Sequence, residues 1–447
     1  MPFDLKREHF FAFLLFFAIF ATNFSYPMNS RSFCFLAIFS LAALNGAAQD
    51  SVAVRHWGGT VVFNPGNVLN MHHYTDRYDV PHRKNRAFAA EIGYSPLPSD
   101  SDAFASDYNY PTYGVGLKYA VNNSIRFSRH DDYEWPDGGT VDYDSYVGNS
   151  WAFYGFFTRP LLRTKHWMAD LTVNAGTAYS HTKYDKHNNV DNELIGARWL
   201  IYFGAGLHLS YRFAPDFALK GGLEFWHLSN GALNRPNKGV NFLGPSIGLA
   251  YMPYYEPLAQ NKSRKIKEPF NRYWYAEVTA GVGAKTLEED WNMTQNELSP
   301  DDPRFQTEHF PLYMAYAAQA DIMYRYARRW ATGFGVDVNY GEYASRIEER
   351  DKEKGYTDKH SPWSLGLSAK HQVFYHNISM RVSLGYYLHR EMGHRAKSVE
   401  KRYYETVGLR YSIPALGNLS LGFDVKAHFL KADYTQLVLS YPIRFKK

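Results

Sequence analysis

Two side chains two residues apart, His227 and Ser229, are the pair in this chain best spaced to do chemistry. They belong to the run Trp226-His227-Leu228-Ser229-Asn230, which is followed by Pro236-Asn237-Lys238-Gly239. In an extended strand, alternate residues share a side, with Cα atoms roughly 6.5–7 Å apart. One face then carries Phe217, Leu219, Gly221, Leu223, Phe225, His227 and Ser229, and the other Ala218, Lys220, Gly222, Glu224, Trp226 and Leu228. An imidazole and a hydroxyl thus share an otherwise apolar face. A neutral serine is a poor nucleophile until a base takes its proton. A third group normally orients the imidazole and supports its charged form. Glu224 is the nearest carboxylate in sequence, but its parity places it on the opposite face. Asn241 has the parity of Leu243 and Ile247, on the same outer face as His227 one strand over. Its oxygen can accept the imidazole N–H, without a full charge. Taken alone, His-x-Ser is a common spacing, and a histidine and serine in an interfacial girdle is the plainer reading of it.

Such a pair needs a sheet to hold it. Strand-like segments recur, separated by polar stretches rich in Gly, Asp and Asn. Eight precede residue 253: 57–63, 88–97, 113–121, 150–161, 167–179, 199–213, 217–229 and 241–252. Eight follow residue 272: 273–284, 313–326, 330–340, 363–375, 378–390, 403–413, 419–430 and 435–445. The alternation is explicit at 378–388, where Ile378, Met380, Val382, Leu384, Tyr386 and Leu388 share one face. Ser379, Arg381, Ser383, Gly385 and Tyr387 share the other.

Composition says what solvent the sheet meets. The 447 residues include 36 Tyr, 31 Phe and 33 Gly, and 17% are aromatic. Mean hydropathy is only -0.44, and beyond residue 50 there is no apolar run of about 18 residues to cross a bilayer as a helix. Aromatic wealth with low mean hydropathy suits a membrane β-barrel, where apolar residues are diluted by alternation and aromatics form girdles. A soluble β-sandwich would also alternate. The fold class expected is therefore all-β: a transmembrane antiparallel β-barrel, as two eight-stranded halves or as one larger barrel of up to 16 strands.

The amino-terminal region holds two apolar runs, at 10–21 after Lys6 and Arg7 and at 33–43 after Arg31. The second ends in Gly46-Ala47-Ala48-Gln49, small residues where a signal peptidase needs them. Residues 1–48 are read as a signal peptide with its start at Met28; a retained membrane anchor is the alternative. Cys34, the one cysteine, falls inside this leader, so the mature chain has no disulfide framework and no thiol chemistry. A barrel carrying the site is expected over 49–252, a linker over 253–271, and a second barrel half over 272–447. Leu219 to His227 compares with Ser420 to His428 as a degenerate repeat. In the second copy Leu421, Phe423, Val425, Ala427 and Phe429 form the apolar face, so His428 points to the lumen and the site is missing.

The net charge of +5 is mild and dispersed. It argues against a nucleic-acid surface and suits a membrane rich in anionic lipid phosphates. The acidic loop at 128–144 matches no calcium-loop spacing. His72-His73 and the other histidines show no ligand spacing. No metal or cofactor is implied, and the oligomeric state is not legible.

The composite His227-Leu228-Ser229-Asn230, Pro236-Asn237-Lys238-Gly239, and a closing strand with Gly244, Gly248 and Tyr251 resembles the outer-membrane lipid A 3-O-deacylases (PagL) and the related acyloxyacyl hydrolases of Bacteroidetes. The likeness is direct over 217–251 and looser over the first eight segments. The acyloxyacyl hydrolases resemble the full length, including 426–433. The resemblance implies an esterase that removes a fatty acyl chain from lipid A of lipopolysaccharide at the outer membrane. His227 would be the general base and Ser229 the nucleophile, with Asn230 and Asn237 helping to form the oxyanion hole. Gly239 would serve the tight turn. The deacylases carry a glutamate where this chain has Asn241, a departure that bears on activity. A catalytically silent structural or lipid-binding barrel, and a porin, are the competing readings.

Overall fold

The alternation read from the sequence becomes two closed sheets. The structure, a computed structural model, describes residues 55–69, 78–129, 145–260, 266, 268–396, 401–429 and 431–445. The expected signal peptide with Cys34, the His72-His73 pair and the acidic residues from Asp131 to Asp144 lie outside the described residues.

In chain order the first part contains β1 (Trp57–Val68), β2 (Tyr78–His82), β3 (Lys84–Tyr94), β4 (Thr112–Val121), β5 (Arg126–Arg129) and β6 (Ser145–Tyr146). It continues with β7 (Ser150–Arg163), β8 (Trp167–Ser180), β9 (Trp199–Ala214), β10 (Phe217–Ser229) and β11 (Val240–Tyr251). Eight of these close in the order β1-β11-β10-β9-β8-β7-β4-β3, while β2, β5 and β6 form a small separate sheet. The second part contains β12 (Tyr273–Lys285), β13 (Tyr313–Ala327), β14 (Trp330–Gly341), β15 (Trp363–Tyr375), β16 (Ile378–Arg390), β17 (Tyr403–Ile413), β18 (Leu419–His428) and β19 (Lys431–Arg444). These close in sequence order, with β12 antiparallel to β19.

The single larger barrel is therefore overturned. Each sheet seals its own edges, β1 on β11 and β12 on β19, and leaves no strand free to pair across. A sheet in lipid must close in this way, because an open edge would leave unpaired N–H and C=O groups in hydrocarbon.

The faces keep the expected parity. On β9, Phe203, Leu207 and Leu209 are exposed while Tyr202, His208 and Ser210 are buried. On β19, Leu437, Leu439, Tyr441 and Ile443 face outward. Outward faces this apolar suit hydrocarbon rather than water. The lumens are filled. In the first, Lys118 meets Glu224 at 3.0 Å, and His208 bridges Asp170 and Glu224 at 3.1 and 3.2 Å. In the second, Lys370 meets Asp321 at 2.5 Å and Asp337 at 2.7 Å, and Arg410 meets Asp424 at 3.0 Å. A cavity of about 30 Å³ in the first lumen, lined in part by Thr60, Glu91, Ser210 and Lys220, has room for little more than a water. An eight-stranded barrel is just wide enough for its own side chains, and the described residues fill both lumens in this way.

Two local features escaped the alternation. β1 extends past Phe63 through Asn64-Pro65-Gly66-Asn67, a string that reads as a turn. Pro65 and Pro245 lack the N–H groups that would continue the β1–β11 ladder, and pairing skips from Phe63↔Ile247 to Asn67↔Leu243. The Asn64 amide fills the gap by donating to the Gly244 and Pro245 carbonyls at 3.3 and 2.6 Å. Among the described residues four α-helices in the connections were also not anticipated: Ala103–Asp107, Tyr255–Gln260, Glu288–Asn296 and Tyr343–Glu353. The second of these sits in the stretch read as an irregular linker.

The barrels dock at both ends. At the short-turn end, the Tyr108 hydroxyl donates to the Phe374 carbonyl at 2.8 Å and Arg329 donates to the Asp107 carbonyl at 2.5 Å. At the long-loop end, Tyr184 packs edge-on against Trp291 with ring centroids 4.9 Å apart.

Candidate active site

The β10–β11 hairpin is held in register from inside. Trp226 faces Phe242 across the pair and stacks on it, with centroids 3.7 Å apart and planes 16° from parallel. The indole N–H reaches Asn64 Oδ1 at 3.3 Å. With that inward pair set, the next residue on each strand must face out. Those residues are His227 and Asn241, directly opposite each other.

The imidazole is held on two sides. Its Nδ1 lies 2.7 Å from Asn241 Oδ1. On the neighbouring strand Phe203 pairs with His227, and the two rings lie 4.7 Å apart at 32°. An amide oxygen can only accept, so Nδ1 must carry the proton, and in the neutral ring Nε2 is then left with its lone pair. Among the described residues Nε2 has no hydrogen-bond partner.

Ser229 lies two residues on, half-buried and opposite Ile201 of β9. Its hydroxyl makes no hydrogen bond among the described residues, to His227 or otherwise. Where a hydroxyl serves as nucleophile, its bond to the base is often long before substrate arrives and tightens in the complex. Glu224 faces the lumen, engaged by Lys118 and His208, as its parity required.

Gly239 does more than turn the chain. Its φ is +74°, and a Cβ there would lie 2.7 Å from the imidazole Cε1 and 3.4 Å from Nε2. The missing side chain makes room for the ring.

Asn230 and Asn237 stand together in the loop between the strands. The Asn230 backbone N–H donates to Asn237 Oδ1 at 2.8 Å. The buried Asn230 side chain is turned into the loop, donating to the Asn234 carbonyl at 3.0 Å and accepting from the Asn234 N–H at 3.4 Å. The half-buried Asn237 keeps its NH2 without a hydrogen bond among the described residues. Of the two amides, Asn237 therefore has donors to spare.

Sequence reasoning missed Phe203, Gly231 and Arg235. The first meets His227 only through β9–β10 register, and the other two touch the second barrel at Thr435 and Thr286. Nearby, burial raises the Glu288 carboxyl, but Lys431 and Arg235 outweigh it and hold the group below its usual range. Among the described residues no three His, Cys, Asp or Glu are grouped to hold a metal ion.

Two closed antiparallel sheets with apolar outward faces define an outer-membrane β-barrel protein. The family model "Lipid A 3-O-deacylase (PagL)" matches residues 110–250, and "Acyloxyacyl hydrolase, C-terminal domain" matches residues 274–447. One match falls on each barrel, and the chain belongs to this PagL and acyloxyacyl hydrolase family, a family of lipid A deacylases of the outer membrane.

No curated protein matches the sequence. Solved structures that align include OccAB4 of Acinetobacter baumannii, at 11% identity over 89% of this chain and 100% of that one, with a TM-score of 0.19. OccK1 (OpdK) of Pseudomonas aeruginosa aligns at 11% identity over 87% and 99%, with a TM-score of 0.20. The Pseudomonas putida toluene transporter TodX aligns at 8% identity over 88% and 90%, with a TM-score of 0.18. Scores this low carry no argument about fold or function.

Proposed function

We propose that this protein is a serine ester hydrolase that removes a fatty acyl chain from lipid A of lipopolysaccharide. His227 Nε2 takes the proton of Ser229 Oγ, and the oxygen attacks the acyl ester carbonyl. The tetrahedral oxyanion meets the Asn237 NH2, with Asn230 shaping the loop that presents it. Donors aimed at a developing oxyanion contribute several kcal/mol of transition-state stabilisation. The imidazolium then protonates the departing sugar oxygen, and the C–O bond breaks to leave an acyl-serine. Water, deprotonated by the same Nε2, releases the fatty acid and restores Ser229.

The observation that carries this reading is the 2.7 Å contact between His227 Nδ1 and Asn241 Oδ1 on the outward face. It sets the tautomer a base needs. In a serine protease the Asp-to-Asn exchange costs about 10⁴ in turnover because the tautomer becomes wrong. Here the amide presents its oxygen to the ring, so the remaining deficit is the missing negative charge behind an imidazolium.

Location supports the substrate. Longer loops of outer-membrane barrels are extracellular, so the pair sits at the outer rim, facing lipid. The acyl chains of lipid A lie in hydrocarbon with their esters at that level, so a rim site reaches the ester without extracting the lipid.

The competing reading is a catalytically silent barrel. It is favoured by the absence of a carboxylate behind His227 and of a Ser229–His227 hydrogen bond among the described residues. Mass spectra of lipid A from cells expressing the wild-type protein, Ser229→Ala or His227→Ala decide between them. The hydrolase predicts a species lacking one acyl chain with the wild type alone. An unchanged lipid A profile on wild-type overexpression rejects it.

A further inference from the structure

The loop 230–239 is anchored in the first barrel at its ends and in the second barrel at its middle. The Ala232 carbonyl accepts from the Thr286 N–H at 2.8 Å and from the Thr286 hydroxyl at 3.0 Å. The buried Arg235 guanidinium donates to the Thr286 carbonyl through Nε at 3.3 Å and Nη2 at 2.9 Å, and lies 3.7 Å from the Glu288 carboxylate. Gly231, at φ +63°, approaches the second barrel so closely that a Cβ there would lie 2.5 Å from Thr435 Oγ1. Thr286 directly follows β12, and Thr435 pairs with Ala284 of that strand. All the contacts therefore bear on one corner of a closed sheet, a rigid support.

We propose that the second barrel positions the oxyanion loop of the first, with Arg235 as the positioning residue. The inference rests on the serine hydrolase reading. Clasped at Thr286, the segment between Ala232 and Asn237 cannot swing, so Asn237 stays bonded to the N–H of Asn230, the residue that follows Ser229. Arg235 suits this task because two of its N–H groups converge on one carbonyl from a planar fork, a geometry a lysine cannot reproduce. A carboxyl-terminal barrel without a site of its own then has a job: it completes its neighbour.

The test uses the full chain, refolded in detergent with lipid A as substrate. Three quantities are read: kcat, KM, and the rate at which a fluorophosphonate labels Ser229. Arg235→Met keeps the bulk and removes the donors. Expected is a fall in kcat on the order of 10²-fold, the cost of a small misplacement of catalytic groups, with KM within about twofold. Labelling slows in parallel, heat-modifiable mobility is unchanged, and Arg235→Lys restores part of kcat. Arg329→Ala breaks a contact at the opposite end of the seam and leaves kcat unchanged. A folded Arg235→Met protein with wild-type kcat overturns the proposal, and so does an equal loss from Arg329→Ala. Should Arg235→Met not fold, Thr286→Val removes one hydrogen bond and is expected to lower kcat about fivefold; no change there overturns the proposal instead. If the wild type shows no Ser229-dependent hydrolysis, the underlying hydrolase reading fails, a result distinct from the others.

Discussion

In β10 of the first barrel His227 faces outward and meets Asn241. In β18 of the second, His428 faces the lumen, with Nε2 3.0 Å from the Tyr387 hydroxyl and Nδ1 3.7 Å from the Asp433 carboxylate. Both histidines lie near the end of the strand that precedes the barrel's last strand. A single residue of parity separates their fates, because a shift of one position moves a side chain to the opposite face of a sheet. The residues after each histidine differ too. β10 continues to Ser229 and opens into the loop 230–239. β18 stops at His428, which already pairs with Lys431 of β19 across a turn at Phe429, where φ is +52°. One hairpin has space for a serine and a loop of amides. The other spends its histidine on a buried contact. The same residue in the same topological position thus faces outward beside an amide or fills the lumen, according to register and turn length.

The contrast between the two histidines is exposed to its severest test at the proposed nucleophile and base. Ser229→Ala and His227→Ala should each reduce lipid A deacylation by at least about 10⁴-fold, measured by mass spectrometry and fatty acid release, with heat-modifiable folding intact. Asn241→Glu should act in the opposite sense. A carboxylate behind the ring supports the imidazolium, so kcat should rise by tens-fold or more, within a ceiling of about 10⁴. The same carboxylate favours the charged ring, so the acidic limb of the pH–rate profile should move to higher pH. Slower hydrolysis or an unmoved limb would remove Asn241 from the third position. Gly239→Ala pushes a methyl group against the imidazole and should cost on the order of 10²-fold in kcat; normal turnover would mean the ring is free to move. Phe203→Ala removes an aromatic pair worth about 1 kcal/mol, so a loss of roughly fivefold in kcat/KM is expected. The smallest effect belongs to the second barrel: His428→Phe should leave hydrolysis unchanged, and any large loss there would place chemistry where none is proposed.

Much of the fold was legible. The segments 217–229, 363–375, 378–390 and 403–413 were bounded from sequence as the structure bounds β10, β15, β16 and β17. Alternation over a strand is a strong, local, repeated signal, and lipid on one side sharpens it. Bounds failed where a local rule was overridden from outside. Asn64-Pro65-Gly66-Asn67 reads as a turn, yet stays in β1 because the Asn64 side chain satisfies carbonyls of β11, a partner far along the chain. The helix Glu288–Asn296 has a mixed surface whose apolar members are claimed by different neighbours, Trp291 by Tyr184 of the other barrel. No single periodic face announces it.

The candidate site divides in the same way. That His227, Ser229 and Asn241 share a face was readable, since the apolar residues of each strand mark which parity faces outward. That Asn230 turns its amide into the loop while Asn237 keeps its NH2 without a hydrogen bond among the described residues was not, because hydrogen-bond allocation in a loop has no period.

Alone, the chain of residues determined which side chains look toward lipid and which toward a lumen, because that depends only on the two-residue pleat and on the solvent each face meets. Closure into two barrels rather than one, Phe203 packed on the imidazole, and the Thr286 clasp on residues 232–235 were decided only in three dimensions. Each joins groups from separate strands, and which distant partner a strand edge or a loop carbonyl finds is settled by the competition among all of them at once.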